Sequence, residues 1–226
     1  MPAIHPFHAV AYAAPADQSA LVAPPYDVLD AASKAALLAK DPRNIVGIDL
    51  PHTPAKELGP PAAYAAAGDR YRSLLADGTL ARSAAPVLFA YRQTWTQPSP
   101  SGPRTHARSG MACCVETVPF GPRPGGGILP HEETFSGPKE DRLALMGATR
   151  AQLSPIFGLH ADDHGRATAI LQRVMAARPA DRTATTPDGT RHEVWTVADD
   201  ATIREYAAAL AGEDVFIADG HHRYNT

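Results

Sequence analysis

The sequence predicts an α+β fold, a mixed sheet with flanking helices, and three observations carry that expectation. Apolar residues recur at helical spacing in several stretches. Short runs rich in β-branched and aromatic residues, bounded by Gly and Pro, lie between them. The two kinds of segment do not alternate in the regular βαβα rhythm of a doubly wound parallel sheet. With 226 residues, of which 44% are hydrophobic and 20% charged, the chain has the length and composition of a folded globular protein. It reads as a single mixed domain over 1–226, with a division into 1–84 and a sheet region 85–226 as the alternative.

Each element has its own signal. Pro24-Pro25 fixes an extended segment that presents Tyr26 and Asp27. Asp30 can cap a helix from Ala31 to Lys40 that stops before Pro42. The β-branched run Asn44 to Leu50, closed by Pro51, predicts a strand. After Gly59-Pro60-Pro61, Tyr64, Ala67, Tyr71, Leu74 and Leu75 share one helical face, and Asp77-Gly78 ends the pattern. Pro86 to Trp95 and Arg108 to Val118 predict a β-hairpin turning at Pro98 to Pro103, and Pro119 to Gly127 is too rich in Gly and Pro for regular structure. A helix over Glu140 to Met146 follows Pro138. Then come a short strand at Ser154 to His160, a helix at Arg166 to Ala177, a strand at Arg191 to Val197, and a helix at Ala201 to Leu210. A buried strand, Asp214 to Ala218, leads into Asp219.

Several classes of function are disfavoured at once. The formal net charge of −3, with no block of like charges, leaves no electrostatic footprint for nucleic-acid or membrane binding. The N-terminal residues lack a basic region followed by an apolar run, and no segment approaches the ~18 apolar residues of a membrane span, so the expected compartment is cytoplasmic. Cys113 and Cys114 are adjacent, a spacing that suits neither an unstrained disulfide nor a metal site, and they are expected to be free thiols.

Two clusters look chemical. The first is His131-Glu132-Glu133-Thr134 with Lys139, Asp141 and Arg142. It combines a proton shuttle, carboxylates and cations that suit an anionic substrate. A solvated loop followed by a charged helix face is the competing reading. The second is Asp219-Gly220-His221-His222-Arg223-Tyr224, placed directly after an apolar strand. Gly220 lets the backbone approach a ligand, a following helix would aim N–H groups at an anion, and His222 and Arg223 would donate to phosphate oxygens. Asp219 would serve as a base or metal ligand. A turn whose histidines merely cap a sheet edge competes with this. A zinc site from His131, Glu132, His221 and His222 is open on residue types, but adjacent histidines diverge, and no metal ligand is assigned. His160-Ala161-Asp162-Asp163-His164 is explained more simply as a turn than as a cation site.

Four ordered motifs then suggest a family. Pro24-Pro25-Tyr26-Asp27, His131-Glu132-Glu133-Thr134 with Pro138-Lys139 and Asp141-Arg142-Leu143, Ser154-Pro155-Ile156-Phe157, and Ile217 to Tyr224 together resemble the bacterial and archaeal proteins grouped as domain of unknown function 1015. Members of that family are usually longer, so the resemblance implies a chain incomplete at its C-terminus, which bears on whether it is active alone. The Asp-Gly-His-His-Arg turn also looks like the phosphate-binding signature of the ParB/sulfiredoxin-like superfamily, which includes free-serine kinases. That likeness implies a similar element at the C-terminal end, Asp219 as base for a substrate hydroxyl, and His222 as a nucleotide phosphate contact with Arg223 beside it.

The expectation is therefore nucleotide-dependent phosphoryl transfer to a small hydroxyl compound, in the manner of a serine kinase, using ATP or ADP with Mg2+. Asp219, His131 and Glu132 would be catalytic. Gly220, His221, His222, Arg223, Lys139 and Arg142 would bind the nucleotide, and Tyr26, Asp27 and Thr134 the substrate. A nucleotide-binding regulatory module and a metal-dependent hydrolase are the alternatives. The partners are a small molecule and a nucleotide, with no nucleic acid and no membrane.

Overall fold

A computed structural model describes residues 2–226. In chain order, the first elements are β1 (Ile4–His5), β2 (Val10–Tyr12), a 3-10 turn at Tyr26–Val28, α1 (Ala31–Lys40), α2 (Val46–Asp49), α3 (Pro61–Ala76) and β3 (Leu80–Arg82). Next are β4 (Leu88–Gln97), β5 (Arg104–Ala112), β6 (Cys114–Val115), β7 (Ile128–Leu129), α4 (Ser136–Thr149) and β8 (Phe157–Leu159). The last are α5 (Arg166–Ala177), β9 (Arg182–Thr185), β10 (Arg191–Val197), α6 (Asp200–Ala209), β11 (Val215–Asp219) and α7 (His221–Tyr224). The protein is thus α+β, with several small sheets and helices among them. Its elements fall into two compact units, each drawn from three stretches of chain. The first holds residues up to 19, 82–129 and 159–216, and the second holds 20–81, 130–158 and 217–226.

The first unit is built on the antiparallel sheet β5-β4-β10-β9. β4 and β5 form the expected hairpin, in register from Phe89↔Ala112 to Gln97↔Arg104. Period-two alternation turns Leu88 and Ala90 of β4, and Trp195 and Val197 of β10, into one core. Ile4 of β1 joins that core, and two helices supply more of it at helical spacing: Ala167, Ile170 and Leu171 from α5, then Ile203 and Tyr206 from α6 with Leu210 beyond it. Each Leu, Ile or Val side chain among them contributes roughly 1.5–3 kcal/mol when fully buried. Asp199 starts α6 by accepting from the Thr202 amide at 2.8 Å. Both cysteines are free thiols, as expected, and burial raises the Cys113 thiol to about 12. In the turn at 160–165, Asp162 accepts from the amides of Ala167 and Thr168 at 3.1 and 2.8 Å, which occupies its carboxylate in starting α5.

The second unit is mainly helical. Tyr64, Ala67, Tyr71 and Leu74 are buried on one face of α3, as their spacing predicts, with Gly68 among them, while Leu75 is half-buried. Gly68 allows α3 to approach α4 closely, because a Cβ there would lie 2.6 Å from the Ala148 carbonyl oxygen. Asp30 caps α1 through the Ser33 amide at 2.7 Å.

Two local expectations fail. The segment Asn44 to Leu50 is not a strand but contains the helical turn α2. Asn44, fully buried, donates to the Ala20 and Val22 carbonyls at 2.8 Å each and accepts from the Val46 amide at 2.9 Å. That bonding turns the chain, and burial of Val46 and Leu50 against Tyr26 outweighs their β preference. Nor is Tyr26 presented on an extended segment: it lies in the 3-10 turn and is 4% exposed. Among the described residues, no helix is long and apolar enough to cross a membrane.

Candidate functional site

The four motifs lie more than a hundred residues apart at their extremes, yet all fall in the second unit. Their centre is a buried ionic network. Asp141, 1% exposed, accepts from the Tyr64 hydroxyl at 2.7 Å, lies 3.1 Å from His52 Nε2, and takes Arg142 Nε at 2.9 Å. Arg142 also donates from Nη1 to the Asp49 carbonyl at 2.9 Å and carboxylate at 3.2 Å, and its guanidinium stacks 3.7 Å from the centre of the Tyr26 ring. Ser154 donates to Asp49 at 3.0 Å. Asp141 and Arg142 are therefore not charges on a solvated helix face. Arg142 meets Tyr26 and two aspartates with its donors already engaged, which makes it a brace for the site.

Burial sets the electrostatics here. It raises the Asp49 carboxyl above its ordinary range, against the opposing pull of Arg142 and the Ser154 hydrogen bond. It raises the Tyr26 hydroxyl too, and the Tyr64 hydroxyl to about 12, where the bond to Asp141 adds to the effect. A pocket of about 20 Å³, enough for one water molecule, is lined by Asp49, Arg142, Leu145, Ser154 and Arg223 among others.

Arg223 joins that pocket to the Asp-Gly-His-His-Arg turn. β11 ends at Asp219, and Gly220 follows with φ of 100°, a conformation that favours glycine. A Cβ on Gly220 would lie 2.8 Å from Arg223 Nη2, so the missing side chain makes room for the guanidinium. Nη2 donates to Asp219 Oδ2 at 2.6 Å. The Asp219 side chain is 63% exposed and that of Arg223 10%. Arg223 Nε and His222 Nε2 are buried with no hydrogen-bond partner among the described residues. The helix after the turn, α7, is a single turn of four residues. It is too short for a full helix dipole.

The two polar clusters meet. The His131 amide donates to His221 Nε2 at 3.3 Å, the His131 and His221 rings sit edge to face with centroids 4.5 Å apart, and His221 Nδ1 lies 3.4 Å from a Glu132 oxygen. His221 is 1% exposed. Burial, helped by His131 and opposed by Glu132, lowers its pKa and favours the neutral ring. Phe135 stacks on His222 at 5.8 Å, and Asn225 donates to Thr134 at 3.1 Å. Thr134 therefore braces the loop against α7. The adjacent histidines diverge as expected, with His221 facing Glu132 and His222 facing Phe135.

The remaining expected residues stand apart from this contact. Asp27 pairs with Lys56 at 3.3 Å, and Lys139, half-buried on α4, makes no ion pair among the described residues. Sequence reasoning missed Asp49, His52, Tyr64 and Ser154. His52 follows a proline and Ser154 opens a motif, but Tyr64 was indistinguishable from a core aromatic, and Asp49 lay in a segment assigned to a strand.

Fold and site define an α+β protein whose polar centre is built from histidine, arginine and carboxylate side chains. The chain belongs to the family described as Protein of unknown function (DUF1015), whose model matches residues 4–226. No curated protein and no solved structure matches it.

Proposed function

We propose that the site transfers a phosphoryl group from a nucleotide to a small hydroxyl compound, in the manner of a serine kinase. The observation that carries this reading is Arg223: a guanidinium held beside an exposed carboxylate, with a buried Nε–H donor that no described residue accepts. Phosphoryl transfer consists largely of positioning and charge neutralisation, and a planar, preorganised guanidinium provides both. Asp219 keeps Oδ1 free of Arg223 and can receive the proton of the substrate hydroxyl. The hydroxyl oxygen then bonds to the terminal phosphorus of ATP or ADP as the bond to the leaving phosphate oxygen breaks. Mg2+ would be held mainly by phosphate oxygens and water, and the exposed carboxylate of Asp219 is a donor of the hard type that it takes. Gly220 and Arg223 would contact the nucleotide, with His222 beside them. The strand, turn and Asp-Gly-His-His-Arg order is also what supports the likeness to the ParB/sulfiredoxin-like element.

The test is incubation of the protein with ATP or ADP, Mg2+ and a panel of hydroxyl compounds that includes serine, with phosphorylated product measured. Arg223→Ala and Asp219→Asn should each lower turnover by about 100-fold, in line with loss of a charge-stabilising or proton-accepting group. A folded protein that turns over no nucleotide with any acceptor would rule the reading out.

A further inference from the structure

We propose that His131, Glu132 and His221 form a binding site for a divalent first-row transition metal ion. One donor atom from each residue lies within 4.8 Å of the others. Two imidazoles and one carboxylate are a borderline donor set, which suits Zn2+ or Co2+ better than Mg2+ or Ca2+, ions that favour oxygen ligands. The inference does not depend on phosphoryl transfer, where the nucleotide brings its own ion.

Three features mark the cluster as a built site and not a chance meeting of surface groups. His221 is almost fully shielded from water, yet its ring nitrogens have only long contacts, 3.3 Å to the His131 amide and 3.4 Å to Glu132. A metal ion would give one of these nitrogens a short bond. The loop carrying His131 and Glu132 is tied to the residues that follow His221, by Phe135 stacking on His222 and by Asn225 donating to Thr134, so the ligands are held together in advance. Finally, His131 and Glu132 are exposed while His221 is buried, which gives an ion an approach from solvent. Three protein ligands leave a position open for water or substrate, the arrangement of a catalytic ion rather than a structural one.

The test uses chelator-stripped protein titrated with Zn2+ by calorimetry and with Co2+ by visible absorption, without nucleotide. The expected result is one ion per chain, with Co2+ bands of nitrogen and oxygen ligation. His131→Ala and Glu132→Gln, both at exposed positions, should weaken binding by more than about tenfold while leaving the metal-free melting temperature unchanged. His164→Ala, in the other histidine-rich turn, should bind as the parent does. The proposal is overturned if the parent takes up no stoichiometric ion, if the His131 and Glu132 variants bind as tightly as the parent, or if His164→Ala loses the ion. Metal binding without phosphoryl transfer, or the reverse, separates the two readings.

Discussion

Asp141 is a buried carboxylate on which three side chains of the second unit converge. Its partners Tyr64 and His52 come from a distant part of the chain and Arg142 from the next position, and Arg142 is itself 5% exposed. Removing Asp141 breaks a buried ion pair and leaves Arg142 with Asp49 alone, and breaking such a pair costs about 3–5 kcal/mol. Asp141→Ala should therefore lower the free energy of urea unfolding by about that much, whereas Tyr64→Phe, which deletes one hydroxyl, should cost only about 1–3 kcal/mol. Equal losses in the two variants would show that Asp49 alone satisfies Arg142. The adjacent Asp141-Arg142 pair was visible in the sequence as a candidate, but its burial was not. Charges of this kind are ordinarily solvated on helix faces, and what buries these two is Tyr26, Asp49 and Tyr64 arriving from elsewhere in the chain.

At the scale of the element, α3 and α4 show how neighbours decide the meaning of a residue. Gly68 and Gly147 both sit inside helices, where Ala is the better helix former by about 1 kcal/mol. A Cβ at Gly147 meets open space, but one at Gly68 meets a backbone carbonyl oxygen that cannot move unless α4 moves with it. Gly147→Ala should stabilise the protein by roughly 0.5–1 kcal/mol. Gly68→Ala should destabilise it by about 1–2 kcal/mol, since overpacking at about 1–3 kcal/mol exceeds the gain in propensity. Thermal melts of the two variants should shift in opposite directions. Long periodic helices and paired strands were legible because their patterns are local: α5 and β10 begin and end where the sequence places them. α2 was not, because a buried asparagine bonding to carbonyls more than twenty residues away overrides its β-branched composition. The contact of His131 with His221 could be named only as a combination of residue types, since the pairing spans ninety positions.

For the molecule as a whole, stability in acid should depend on carboxylates whose bonds exist only in the folded state. Burial pushes the Asp181 carboxyl up, but hydrogen bonds from Arg178 and from the Thr196 amide outweigh it and bring the group from its ordinary 3.8 to about 2. A depressed folded pKa stabilises the native state fully above the unfolded value, and that contribution is lost as pH falls through the folded one. Asp181→Asn should thus be less stable than the parent at neutral pH, and the gap should close between pH 3.8 and about 2. A gap that stays constant across that window would assign the loss to packing instead of charge. The division of the chain carries a consequence for synthesis. The unit that holds the candidate site needs residues 20–81, 130–158 and 217–226 together. At ribosomal rates of roughly 5–20 residues per second, its first stretch leaves the exit tunnel on the order of ten seconds before its last. Until Arg223 emerges, the pocket that it lines with Asp49 and Arg142 is incomplete, so the nascent chain shows that part of its future interior to chaperones and proteases.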